Sequence, residues 1–141
     1  MAQHDLDHLA QGLREFAGGL LRSTRTDTLG RTAAATLAWL SREGATRITT
    51  LAEREAVTQP AMTGLVQRLE AAGLVSRKAD SRDGRVVLID ITPLGTQSLE
   101  RRRAAQDAII IDRLAGLTPD ELAALEAALP ALYTVTELHV V

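Results

Sequence analysis

Only two short stretches of this chain read as β-strands, Leu74–Lys78 and Val86–Ile91, and they face each other across the charged heptad ADSRDGR. Two strands build a hairpin and nothing larger, and an isolated hairpin is marginal in water. The hydrophobic core therefore has to come from helices, with the hairpin as an appendage. The rest of the chain carries helical periodicity.

Leu6, Leu9, Leu13, Phe16 and Leu20 follow 3-4-3-4 spacing, which predicts an amphipathic helix of about 18 residues. Thr26-Asp27-Thr28 interrupts it. A second helix is predicted from Thr32 to Glu43, with Ala33, Thr36, Leu37 and Leu40 inward and Gly44 as its stop. A short helix follows from Thr49 to Ala56, turning Leu51 and Ala52 inward. Thr58 then stands as an N-cap with Pro60 in the first turn, opening a helix that buries Met62, Leu65, Val66 and Leu69 and ends at Gly73. After the hairpin, Thr92-Pro93 repeats the cap-plus-proline start for a long helix to about Leu114. Thr118-Pro119-Asp120-Glu121 is a capping box, followed by Leu122, Leu125, Leu129 and Leu132 on one face, with Pro130 predicted to kink or break that helix. The expected fold is mainly α with a small β-hairpin, in the order α-α-α-α-β-β-α-α.

The 141 residues fit one compact domain, and 45% hydrophobic with 24% charged residues excludes wholesale disorder. No apolar run approaches the roughly 20 residues that span a bilayer. The start, MAQHDLDHL, is polar and acidic and does not read as a secretory signal, so the expected location is the cytoplasm. The absence of cysteine excludes a disulfide framework, a thiolate sensor and cysteine-ligated zinc.

The net charge of −2 argues against a nucleic-acid partner, but its distribution argues for one. From Arg31 to Arg85, Arg31, Arg42, Arg47, Arg54, Arg68, Arg77, Lys78, Arg82 and Arg85 face six acids, a local balance of +3 against −5 for the two ends. Phosphate attraction acts over a Debye length of about 8–10 Å, so the local balance is the one that counts. The helix 49–56, the turn at Val57 and the helix opened by Thr58 fit a helix-turn-helix, whose second helix enters the major groove. Its outward set is Gln59, Pro60, Ala61, Thr63, Gly64, Gln67 and Arg68. Glutamine pairs with adenine, threonine bonds bases or phosphates, proline and alanine pack on a thymine methyl, and Gly64 admits close approach of the backbone. Arg68, one turn on, is placed to reach a phosphate. A face merely turned to water would favour Glu, Lys and Gln over Ala61, Thr63 and Gly64.

The stretch ITTLAEREAVTQPAMTGLVQRLEAAGLVSRKADSRDGRVVLIDITPLG resembles the winged helix-turn-helix of MarR-type bacterial transcription regulators. The MTGLVQRLEAAGLVSR passage, Asp83-Gly84-Arg85 in the wing and the ITPLG that follows carry the likeness together, over about 48 residues. The resemblance implies that Arg85 enters the minor groove and that Asp83 orients its guanidinium. It makes Arg77, Arg82 and Thr49 or Thr50 phosphate contacts. Where the family's recognition helix often has a basic residue this chain has Gly64, which puts one contact in question. The resemblance also implies a homodimer joined by the first and last helices, dividing the chain into residues 1–30, a DNA-binding lobe 31–91, and residues 92–141. Double-stranded DNA is then the partner, bound as a pseudo-palindrome by a repressor, and many relatives sense small anionic aromatics. Phe16 and Trp39 read as core residues, with an effector cleft as the alternative.

No Ser/His/Asp group, phosphate loop or calcium-loop oxygen series is visible, so no enzyme, cofactor or metal is expected. His4 and His8, with Asp5, Asp7 and His139, are the one metal-like group, outweighed by a polar N-terminus. The reading from a different class is a winged-helix protein-interaction module without DNA binding.

Overall fold

The computed structural model describes residues 3–26 and 29–136, so Asp27, Thr28 and His139 lie outside it, as does the side chain of His4. The elements run α1 (Gln3–Ser23), α2 (Arg31–Glu43), α3 (Ile48–Arg54), α4 (Gln59–Ala71), β1 (Val75–Ala79), β2 (Val87–Ile91), α5 (Pro93–Leu114) and α6 (Pro119–Thr136). Packing divides the chain into two units, residues 25–106 and residues 1–24 with 107–141, and α5 passes from the first into the second.

The core of the 25–106 unit is the set that helical spacing placed inward. Leu37 and Leu40 from α2, Leu51 and Ala52 from α3, and Met62, Val66 and Leu69 from α4 are buried together with Val75, Ile89 and Leu99. The hairpin contributes one buried residue per strand, Val75 and Ile89, in the register Val75↔Ile91 to Ala79↔Val87. The hairpin is thus a lid on a helical core. A third partner for the sheet escapes periodicity: Thr46, between α2 and α3, exchanges both backbone hydrogen bonds with Ile89 (2.9 and 2.8 Å).

Local hydrogen bonds explain two of the shifted boundaries. Leu74 is not the first residue of β1, because its N–H caps α4 through the Leu69 carbonyl and its carbonyl accepts from Thr92. Gly73, at φ +76, makes that left-handed cap without a Cβ penalty. The turn between α3 and α4 uses the same pattern, with Ala56 N–H on Glu53 and Val57 N–H on Ala52, but its left-handed residue is Ala56 at φ +52. That conformation stops α3 short of the expected Ala56 end. It costs an L-residue about 1–2 kcal/mol, partly offset by the greater entropy glycine loses on folding. Ala56→Gly is therefore expected to stabilise the protein by about 0.5–1 kcal/mol, seen as a higher urea midpoint at unchanged slope.

Thr92 opens α5: its hydroxyl accepts from Gly95 N–H (3.0 Å) and donates to the Gly73 carbonyl (2.6 Å). A Cβ on Gly95 would stand 2.8 Å from Ile91 Cγ1 and far inside contact with the Leu74 carbonyl oxygen. The ITPLG sequence is thereby a steric requirement, since α5 crosses the base of the hairpin where only glycine fits.

In the other unit, Thr118 and Glu121 form the expected capping box. The Glu121 carboxylate accepts from the Thr118 N–H (2.8 Å), and Thr118 Oγ1 accepts from the Glu121 N–H (3.3 Å). The bond from the Thr118 backbone, then that from its side chain, holds the Glu121 carboxyl below its ordinary pKa. Of the expected kink or break at Pro130, the break does not occur: α6 runs through Pro130 to Thr136 as one helix. The proline φ suits a helix, and in an exposed helix water can satisfy the carbonyl deprived of its partner. Phe16 corrects a second expectation. It is 57% exposed rather than packed in a core, and it borders an open apolar cavity of about 400 Å³ with Leu20, Ile110, Leu114 and Leu125.

Candidate nucleic-acid interface

Helix α4 begins where Thr58, in extended conformation, caps it by accepting from the Ala61 N–H (3.3 Å), with Pro60 in the first turn. Burial of Met62, Val66 and Leu69 turns the opposite face outward. Gln59, Pro60, Ala61, Gln67 and Arg68 are exposed, as is the capping Thr58, while Thr63 and Gly64 are half-buried. Leu65, expected inward, is half-buried against the core. The exposed residues of α4 carry two charges, Arg68 and Glu70, among small or uncharged polar residues. Thr49, exposed, and Thr50, half-buried, fall in the first turn of α3, whose N-cap Arg47 supplies no side-chain hydrogen bond.

The hairpin tip sorts its four charges by sign. Asp80 Oδ1 accepts from the Arg82 backbone N–H (2.9 Å), and Asp83 Oδ1 accepts from that of Arg85 (3.1 Å). The loop closes through Asp80 N–H to the Val86 carbonyl and Val86 N–H to the Asp83 carbonyl. Both carboxylates thus serve the loop backbone in successive Asx turns. Among the described residues neither the Arg82 nor the Arg85 guanidinium meets a carboxylate, and both residues are exposed. This differs from the expectation that Asp83 orients the Arg85 guanidinium. Asp83 shapes the turn that presents Arg85 and leaves the side chain unpaired.

Arg77 and Lys78, counted in the basic segment, are both in ion pairs. Arg77 Nε bonds Glu70 Oε2 of α4 at 2.9 Å, and Lys78 Nζ bonds Asp90 Oδ2 across the hairpin at 2.7 Å. The Arg77–Glu70 pair ties β1 to the end of α4, and it engages one donor of a residue expected to reach a phosphate.

Trp39, on α2, is half-buried and packs on the core of the 25–106 unit. Within the 25–106 unit a cavity of about 570 Å³ has apolar walls from Leu29, Leu65, Leu69 and Leu74, with Arg31 and Arg68 at its border. Sequence reasoning missed the Thr46 pairing and the Arg77 and Lys78 partners. The β-branched Thr46 just past the helix stop at Gly44 was the one available signal for the former.

A helix-turn-helix of α3 and α4, followed by an antiparallel hairpin with a charged tip, defines a winged helix. The MarR family profile matches residues 29–87. The chain is 34% identical over 86 residues to the HTH-type transcriptional repressor MdtR of Bacillus subtilis, covering 61% of this chain and 56% of that protein. It is 31% identical to the solved structure of a probable transcriptional regulator from Pseudomonas aeruginosa, with 88% of this chain and 92% of that one aligned and a TM-score of 0.56. A MarR family protein from Bacillus stearothermophilus shares the fold at a TM-score of 0.79 and 23% identity, over 97% and 99% of the two chains. The winged helix of this chain, residues 29–87, is thus of the MarR family type. The chain's matches span about 56–64% of the length of the curated relatives. No described helix is long and apolar enough to cross a membrane.

Proposed function

We propose that this chain is a sequence-specific, double-stranded-DNA-binding transcription regulator, a repressor that acts as a homodimer on a pseudo-palindromic operator. The observation that carries the reading is the hairpin tip: two exposed guanidiniums, free of carboxylates, held by acids turned to the backbone. A planar guanidinium suits a narrow, negatively charged minor groove. In this reading Arg85 enters that groove and Arg82 and Arg68 contact phosphates. Gln59, Pro60, Ala61, Thr63, Gly64 and Gln67 meet major-groove edges, and Thr49, Thr50 and Thr58 line the approach. Arg77 contributes through the donors its pair with Glu70 leaves over.

The dimer reading rests on uncovered apolar surface. Leu9 and Phe16 of α1 are more than half exposed, and α6 presents Leu122, Leu125, Leu129 and Tyr133 with no buried residue at all. A helix of 18 residues has little stability without a packed face. A second copy covering α1 and α6 would place two recognition helices about one DNA turn apart. A small aromatic anion is the effector class that the cavity suits, because Leu29, Leu65, Leu69 and Leu74 line it together with the cations Arg31 and Arg68.

The test is DNA selected from random duplexes by the full chain and then titrated at several salt concentrations. Raising salt from 50 to 200 mM is expected to weaken binding about a thousandfold, as counterions return to the phosphates. An affinity indifferent to salt, or no enriched sequence, would refute the reading and favour a protein-interaction module.

A further inference from the structure

One indole links the helix-turn-helix to the wing. Trp39 is the chain's single tryptophan. Its Nε1–H donates to Thr46 Oγ1 at 3.2 Å, and the Thr46 hydroxyl donates in turn to the Gly44 carbonyl at 2.9 Å. With its proton engaged there, Thr46 Oγ1 faces the indole as an acceptor. The Thr46 backbone meanwhile holds Ile89, the middle residue of β2 and fully buried, by two hydrogen bonds. On the α3 side, the Arg54 guanidinium lies over the indole ring, Cζ 3.8 Å from its centroid. Arg54 is the last residue of α3, two before the left-handed Ala56 that aims α4.

The same ring therefore touches the residue that ends the first helix of the helix-turn-helix and the residue that anchors the wing's return strand. Ile89 lies four residues after Arg85, so the position of β2 on Thr46 sets where the tip stands. We propose that Trp39 and Thr46 are positioning residues for DNA binding: they hold the wing in register with the helix-turn-helix, so that Arg85 and α4 reach their grooves together. This rests on the DNA-binding reading above. Neither residue touches DNA in this scheme; each acts through Ile89 and Arg54. The cation–π contact and the indole hydrogen bond are individually modest, but together they fix a distance between two rigid elements.

Trp39→Phe keeps an aromatic face for Arg54 and removes the N–H donor. Thr46→Val keeps the shape and the backbone pairing and removes the acceptor, and Thr46→Ser restores it. With full-length protein and its selected operator, each of the first two variants is expected to bind about 5–20-fold more weakly, and Thr46→Ser close to wild type. The deciding measurement is a pair of double-mutant cycles. Combined with Arg85→Ala, either variant is expected to lose at least about threefold less affinity than the product of the single losses. Combined with Gln59→Ala on α4, the losses should multiply. A purely structural role would weaken wing and helix contacts alike, so cycles additive with both partners, or equally non-additive with both, overturn the proposal. If Trp39→Phe does not fold, the Thr46→Val cycles decide alone. Absence of DNA binding by the unaltered protein would defeat the function reading as well, whereas additive cycles on a functional binder defeat only this one.

Discussion

Arg85→Ala is expected to reduce operator affinity by about 100-fold while leaving the fold and the dimer unchanged. An arginine reaching into a groove contributes about 1–3 kcal/mol, and a two-fold dimer presents two wings, so about 1.4 kcal/mol at each gives that factor. The fold should be indifferent, because Arg85 is exposed and the hydrogen bond from its backbone N–H to Asp83 survives the substitution. Arg82→Ala differs in kind. A phosphate contact carries no base information, so all duplexes should be weakened alike. Fluorescence anisotropy on the selected operator and on a scrambled duplex separates the two. Unchanged operator affinity for Arg85→Ala would remove the wing from the interface.

Gly95→Ala is expected to be the most damaging single methyl in the 25–106 unit. The added Cβ meets the Leu74 carbonyl and Ile91 Cγ1. The Leu74 carbonyl accepts from Thr92, while Leu74 N–H caps α4 at Leu69, so the obstruction cannot swing aside as a long side chain would. Overpacking against movable neighbours costs about 1–3 kcal/mol, and backbone on one side puts this site at or above the top of that range. Against a total stability of about 5–15 kcal/mol, that is a large fraction. Urea unfolding followed by circular dichroism should show a loss of about 3 kcal/mol or more, or no cooperative transition. A midpoint within experimental error of wild type would mean that α5 can lift off the hairpin without penalty.

The elements that carry their own punctuation were legible in the sequence. Thr58 and Pro60 begin α4, Gly73 ends it, and Thr118 with Glu121 boxes the start of α6; each signal acts within one turn of the chain. The inward residues of α2, α3 and α4 followed from spacing alone. What escaped depends on partners distant in sequence or on backbone targets. Thr46 pairs as a single residue, with no period to detect. Arg77 reads as a free cation until the fold places it against Glu70, seven positions earlier. The resemblance pairs Asp83 with the Arg85 guanidinium, whereas the donor it meets is the backbone N–H of the same residue. Phe16 looked like core because apolar periodicity marks a face to be covered without saying which molecule covers it.

The apolar outer face of α6 has a consequence beyond assembly. The 25–106 unit has a core of its own, while α6 has no fully buried residue. If its cover is a second copy, its order depends on protein concentration by mass action, as the lobe's does not. At low copy number the reading heads would remain folded but separate, each too weak alone to hold a site. Occupancy of the operator would then rise more steeply than in proportion to the amount of protein, giving the regulator a threshold set by its own abundance.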